Sequence, residues 1–115
     1  MKIVIIILSF ILITTQLSFG QKKQIITDTI SVDGICEKCK ARIEDAAFIK
    51  GVKKANWDMT TKKLVVIFDQ HKTTLKTIET SIAKAGHDAG DIKALPADYN
   101  KLPSCCAYKD AQISH

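Results

Sequence analysis

The feature that most restricts the fold of this chain is the order in which its apolar periodicity changes, with glycines marking most of the switches. Residues 25–33 alternate around Ile26, Ile30 and Val32 and read as a strand with one buried face, ended by Gly34. From Glu37 to Lys50 the apolar positions Ile43, Ala46, Ala47 and Ile49 recur at helical spacing, Glu44 and Asp45 fall on the other side, and Gly51 supplies the stop. Val52 to Trp57 reads as a second strand, residues 58–61 as a turn, and Lys63 to Phe68 as a third strand, close enough to form a hairpin. Thr73 is placed to cap a second helix, whose stripe Leu75, Ile78, Ile82 and Ala85 ends at Gly86. A short fourth strand is expected at Asp91 to Ala94, before Pro96. The order βαββαβ predicts an α+β, ferredoxin-like fold: a four-stranded antiparallel sheet with both helices on one face. That topology gathers three loops at one sheet edge, carrying Cys36 with Cys39, Met59, and His87.

The segment before this pattern has a different character. Lys2 precedes an apolar run over residues 3–13, broken only by Ser9, and Ser18 and Gly20 flank Phe19. A short positive region, an apolar core and small residues before a cut are the marks of a secretory signal peptide, with cleavage expected between Gly20 and Gln21. The run is well short of the ~20 residues that span a bilayer. The expected organisation is therefore a leader over residues 1–20, one domain over 21–95 and a C-terminal tail over 96–115, in a protein that is secreted or periplasmic. Without the leader the chain keeps 16 Lys and Arg against 12 Asp and Glu, a formal charge of +4. The lysines are scattered with little aromatic interleaving, which speaks for a solvated surface and against nucleic acid, as does export.

Cys36 and Cys39, in GICEKC, stand between a strand and a helix, where unpaired backbone N–H groups and the helix dipole favour thiolate over thiol. Two thiolates on one loop can grip one soft ion, Cu(I) or Zn(II) in preference to Mg(II) or Ca(II). Structural zinc wants four closed ligands, and no second CxxC or nearby His pair supplies them.

On these residues the chain resembles the heavy-metal-associated domain family, which includes copper chaperones, N-terminal domains of metal-pumping ATPases and periplasmic mercuric-ion-binding proteins. The resemblance spans about residues 26–94 and rests on DGICEKC after the first strand, the KARIEDAA helix, Gly51-Val52, the KKLVVIF strand and IAKAGHDA. It implies a metal-carrying or metal-buffering role with Cys36 and Cys39 as ligands; no enzyme is expected, since no nucleophile–base pair or carboxylate pair stands out in so small a domain. The family's usual cargo and ligand softness put Cu(I) ahead of Hg(II) and Zn(II). The family usually reads GMxCxxC, whereas here Gly34-Ile35-Cys36 is one residue shorter and lacks the methionine. His87 stands where relatives often place a Tyr, Lys or His beside the metal, and is a further candidate ligand; Met59 is a turn residue with a thioether. Lys38, Lys40 and Arg42 beside the pair are expected to form a basic docking face for an acidic metal-transporting membrane protein or another metallochaperone.

The alternative is a thiol–disulfide redox protein on the same CxxC, since thioredoxin-like proteins also place the motif at a helix N-terminus. Those proteins carry an aromatic before the first Cys and a cis-proline opposite it. Here Ile35 precedes Cys36, and Pro96 and Pro103 both follow the last strand. A structural disulfide is the third reading for an exported chain.

The tail contains Cys105-Cys106. Adjacent Cα atoms ~3.8 Å apart are closer than disulfide geometry prefers, so these cysteines look elsewhere for partners. Residues 96–105 can extend ~33 Å, enough to return along a fourth strand of ~17 Å. Cys105 or Cys106 is therefore expected near Cys36 and Cys39, as a ligand or a disulfide partner, with a disordered tail, an inter-chain disulfide or a clamp to another loop as the alternatives.

Overall fold

A computed structural model describes residues 24–109. The expected leader and its cut after Gly20 lie outside the described residues. The elements are β1 (Ile25–Ser31), α1 (Glu37–Ala47), β2 (Val52–Trp57), β3 (Lys63–Asp69) and α2 (Leu75–Lys84), followed by a short turn of helix, α3 (Pro96–Tyr99), and a 3-10 turn (Ser104–Cys106). No helix among the described residues is long and apolar enough to cross a membrane.

The strands form an antiparallel sheet in the order β1-β3-β2. Ile26, Asp28 and Ile30 stand opposite Phe68, Val66 and Leu64, and on the other side of β3 Ala55 and Trp57 pair with Val66 and Leu64. Because side chains alternate along a strand, this register sends one set of residues to a single face. There Ile30, Trp57, Leu64, Val66 and Phe68 join Ile43 and Ala47 of α1 and Ile78 and Ile82 of α2 in one core. The opposite face carries Thr27, Thr29, Lys54, Asn56 and Val65, and is solvated.

Three expectations need correction. The fourth strand, Asp91 to Ala94, does not form, so the sheet has three strands among the described residues instead of four. Only an isolated bridge, Val32 with Ala89, lies on the outer edge of β1, supported by Gly90 N–H donating to Ser31 O at 2.8 Å and Asp33 N–H to Asp88 O at 3.1 Å. The chain then reverses: Gly90 takes φ +55°, and Ala89 and Ile92 exchange both backbone hydrogen bonds, at 2.9 and 3.0 Å, across Gly90-Asp91. A two-residue turn there carries the following residues off the sheet. The first helix stops at Ala47 and not at Lys50, because Phe48 leaves helical geometry (φ −83°, ψ 58°) and Val52 N–H closes a turn onto Ile49 O at 3.0 Å. The second helix is capped by Thr74, whose side chain accepts from Thr77 N–H at 3.1 Å, and not by Thr73, which is buried.

Candidate metal centre

Cys36 is the N-cap of α1, with extended backbone (φ −145°, ψ 175°), and Cys39 lies in the first turn. One helical turn brings their sulfurs to the same end, 3.4 Å apart, with Cys36 half-buried and Cys39 fully buried. The loop lies tightly on the sheet. A Cβ at Gly34 would stand 3.1 Å from Cys39 Cβ, from Ile43 Cδ1 and from the Trp57 ring, so only glycine fits there without displacement. Trp57 Nε1 donates to Val32 O at 3.0 Å, and Lys62 Nζ donates to Gly34 O at 2.5 Å while standing over the Trp57 ring. The β2–β3 turn thus buttresses the cysteine loop.

The tail completes the arrangement. Leu102 packs over Gly86, whose φ of +104° only glycine adopts freely, and a Cβ on Gly86 would meet Asp98 O and Leu102 Cγ at 2.9 Å. Buried Tyr108 accepts from Asp88 N–H at 3.0 Å and donates to Gly86 O at 3.1 Å. Its ring stacks on His87, with centroids 5.6 Å apart, and meets Tyr99 edge-on at 5.2 Å. Anchored this way, the 3-10 turn sets buried Cys106 with its sulfur 3.8 Å from that of Cys36. The sulfurs of Cys36, Cys39 and Cys106 all lie within 4.8 Å of one another, and all four cysteines are unbridged.

Electrostatics distinguish Cys36 from Cys106. Burial would raise Cys36, but hydrogen bonds from the Cys39 N–H, the Cys39 and Cys106 thiols and the Lys38 N–H outweigh it and hold its pKa below the ordinary cysteine value. Burial, together with thiol hydrogen bonds to Cys39 and Cys36, pushes Cys106 up. Cys36 therefore ionises more readily than Cys106.

The remaining candidates are placed as follows. Cys105 is exposed; its carbonyl lies 3.3 Å from Cys36 Sγ, and its own sulfur, 4.0 Å from that of Cys106, is not one of the three gathered within 4.8 Å. His87 is fully buried with Nδ1 2.8 Å from Asp33 O, while Nε2 has no hydrogen-bond partner among the described residues. Burial lowers its pKa, so the ring is neutral and braces the tail, and it is not one of the ligand atoms gathered within 4.8 Å. Met59 lies in the turn, 38% exposed. The expected basic face is reduced. Lys40 is held by Glu44 Oε2 at 2.7 Å and Trp57 O at 2.8 Å, and Arg42 donates to Ala85 O at 3.3 Å, leaving Lys38 exposed beside the pair.

Sequence reasoning missed Tyr108 and Leu102 as anchors. The available signal was two tyrosines and a leucine flanking Cys105-Cys106 in a chain with only 6% aromatic residues.

A sequence profile of the heavy-metal-associated domain matches residues 29–88. Among solved structures, the apo copper chaperone of Enterococcus hirae is 38% identical, with 56% of this chain and 97% of that one covered at a TM-score of 0.51. Oxidized MerP from Ralstonia metallidurans CH34 is 31% identical, with 57% and 94% covered at 0.55. The water-soluble region of the P-type ATPase CopA from Bacillus subtilis is 30% identical, with 60% and 47% covered at 0.55. A comparison with curated protein sequences finds no match. The profile stops at residue 88, so Tyr99, Cys106 and Tyr108 all lie beyond it.

Proposed function

Because the chain belongs to the heavy-metal-associated domain family, we propose that it carries or buffers a soft metal ion, Cu(I) foremost, on the thiolates of Cys36 and Cys39. The observation that carries this reading is the pair itself: two sulfurs 3.4 Å apart at a helix N-terminus, one of them with its ionisation made easier. Such soft ligands suit Cu(I) and Hg(II), and a site short of four ligands disfavours structural zinc. The domain is a metal-binding one and not an enzyme, in keeping with its similarity to copper chaperones. The leader over residues 1–20 supports export, and an intact mature N-terminus at Gln21 by mass spectrometry would test it. Exposed Lys38 offers a cationic contact for an acidic metal-transporting membrane protein or a second metallochaperone.

Anaerobic native mass spectrometry of the reduced chain, titrated with Cu(I), Zn(II) and Hg(II), tests the reading. One Cu(I) per chain is expected, retained against Zn(II), and lost in the Cys36→Ser, Cys39→Ser double variant. Wild-type affinity in that variant, or insulin-reductase turnover dependent on Cys36, would overturn the proposal in favour of another site or of redox chemistry.

A further inference from the structure

We propose that the folded-back tail is a latch: Cys106 is a third thiolate for the same ion, held in place by Tyr108, so that release requires the tail to lift. This rests on the metal-carrying role of Cys36 and Cys39 and adds the regulation of that site.

Geometry favours three ligands over two. With metal–sulfur bonds of about 2.3 Å, two sulfurs opposed across an ion stand about 4.6 Å apart, whereas three in a trigonal plane stand about 4.0 Å apart. The observed separations are 3.4 Å for Cys36 and Cys39 and 3.8 Å for Cys36 and Cys106, with all three within 4.8 Å. Against trigonal spacing the Cys36–Cys106 edge is about 0.2 Å short and the Cys36–Cys39 edge about 0.6 Å short, whereas the CxxC pair is about 1.2 Å short of linear spacing. The 3-10 turn explains why Cys106 is the ligand: at three residues per turn, successive side chains point about 120° apart, and Cys106 is buried while Cys105 is exposed.

The latch has its own hold. Tyr108 bonds Asp88 N–H and Gly86 O, both in the loop after α2, and its ring lies against His87 and Tyr99. Lys109 N–H donates to Tyr99 OH at 3.1 Å. The Tyr108 hydroxyl spends its hydrogen bonds on Asp88 and Gly86, away from the sulfur of Cys106, so the hold and the ligand can be removed separately.

Loading involves no redox change. Cu(I) stays Cu(I), three S–H bonds break, three S–Cu bonds form, and three protons pass to solvent. Release is stepwise ligand exchange: one acceptor thiolate bonds the ion as the Cys106 bond breaks and the tail swings out, further acceptor ligands then replace Cys36 and Cys39, and the freed thiolates take protons from solvent.

X-ray absorption and chelator competition on the anaerobic Cu(I)-loaded chain test this. Three sulfur neighbours are expected in the wild type and in Cys105→Ser, and two in Cys106→Ser, whose affinity falls by roughly tenfold or more, equivalent to about 1.4 kcal/mol. Tyr108→Phe keeps the ring packing and three sulfurs but loses the hydroxyl's bonds, and should transfer Cu(I) to the chelator several-fold faster. Two sulfurs in the wild type, or Cys106→Ser indistinguishable from it, would overturn the latch while leaving the pair intact. Wild-type transfer by Tyr108→Phe would overturn the anchor. Cys36→Ser or Cys39→Ser binding as tightly as wild type would instead overturn the metal-carrying reading beneath it.

Discussion

His87 shows how much a single residue's role depends on what covers it. As a loop residue beyond a helix stop it reads as a ligand candidate or a solvated side chain. Here it is fully buried, bonded to Asp33 O and stacked under Tyr108. Burial lowers its pKa, so the unfolded chain takes up a proton before the folded one as pH falls. Stability should therefore drop on acidification, starting at the ordinary histidine range and levelling once the folded pKa is passed. Denaturant unfolding at pH 7.5 and pH 5 should show a lower midpoint at pH 5. A His87→Asn variant, whose amide can still donate to Asp33, should lose that part of the difference. Cys36 and Cys39 were legible because spacing and a following helix are local properties. The contacts of Lys40 with Trp57 and of Arg42 with Ala85 were not, because those partners are distant in sequence, unlike Glu44, four residues from Lys40.

At the scale of elements, β1, α1, β2, β3 and α2 were legible from period and glycine stops, and the departures come from turn chemistry. Gly90-Asp91 is a turn dipeptide, and it reverses the chain where period alone suggested a strand. The helix cap is a sharper case, because Thr73 and Thr74 are adjacent and identical in type. Only Thr74 accepts from Thr77 N–H, while the buried Thr73 Oγ1 has no partner among the described residues. Thr74→Ala should cost about 1 kcal/mol in chemical denaturation. Thr73→Val should be neutral or stabilising, since it removes an unsatisfied buried hydroxyl. The reverse order of these two variants would return the cap to Thr73.

At the scale of the whole molecule, chain reach allowed the tail to come back but could not say what would hold it. That depended on the surface left by His87, Asp88 and Gly86, which exists only after α2 has packed. Leu102 and Tyr108 are both buried in the one core, so the tail as far as Tyr108 packs as part of it. Ending the chain after Leu95 should then remove at least about 3 kcal/mol of apolar burial and lower Tm by more than about 10 °C. A melting curve unchanged by the truncation would show the tail to be dispensable. Cys36 and Cys106 are 70 positions apart. A ribosome working from the N-terminus therefore delivers the first two sulfurs well before the third. Under the proposed latch, a copy cut before Cys106 keeps a two-sulfur site and would exchange its cargo more freely than one that carries all three sulfurs.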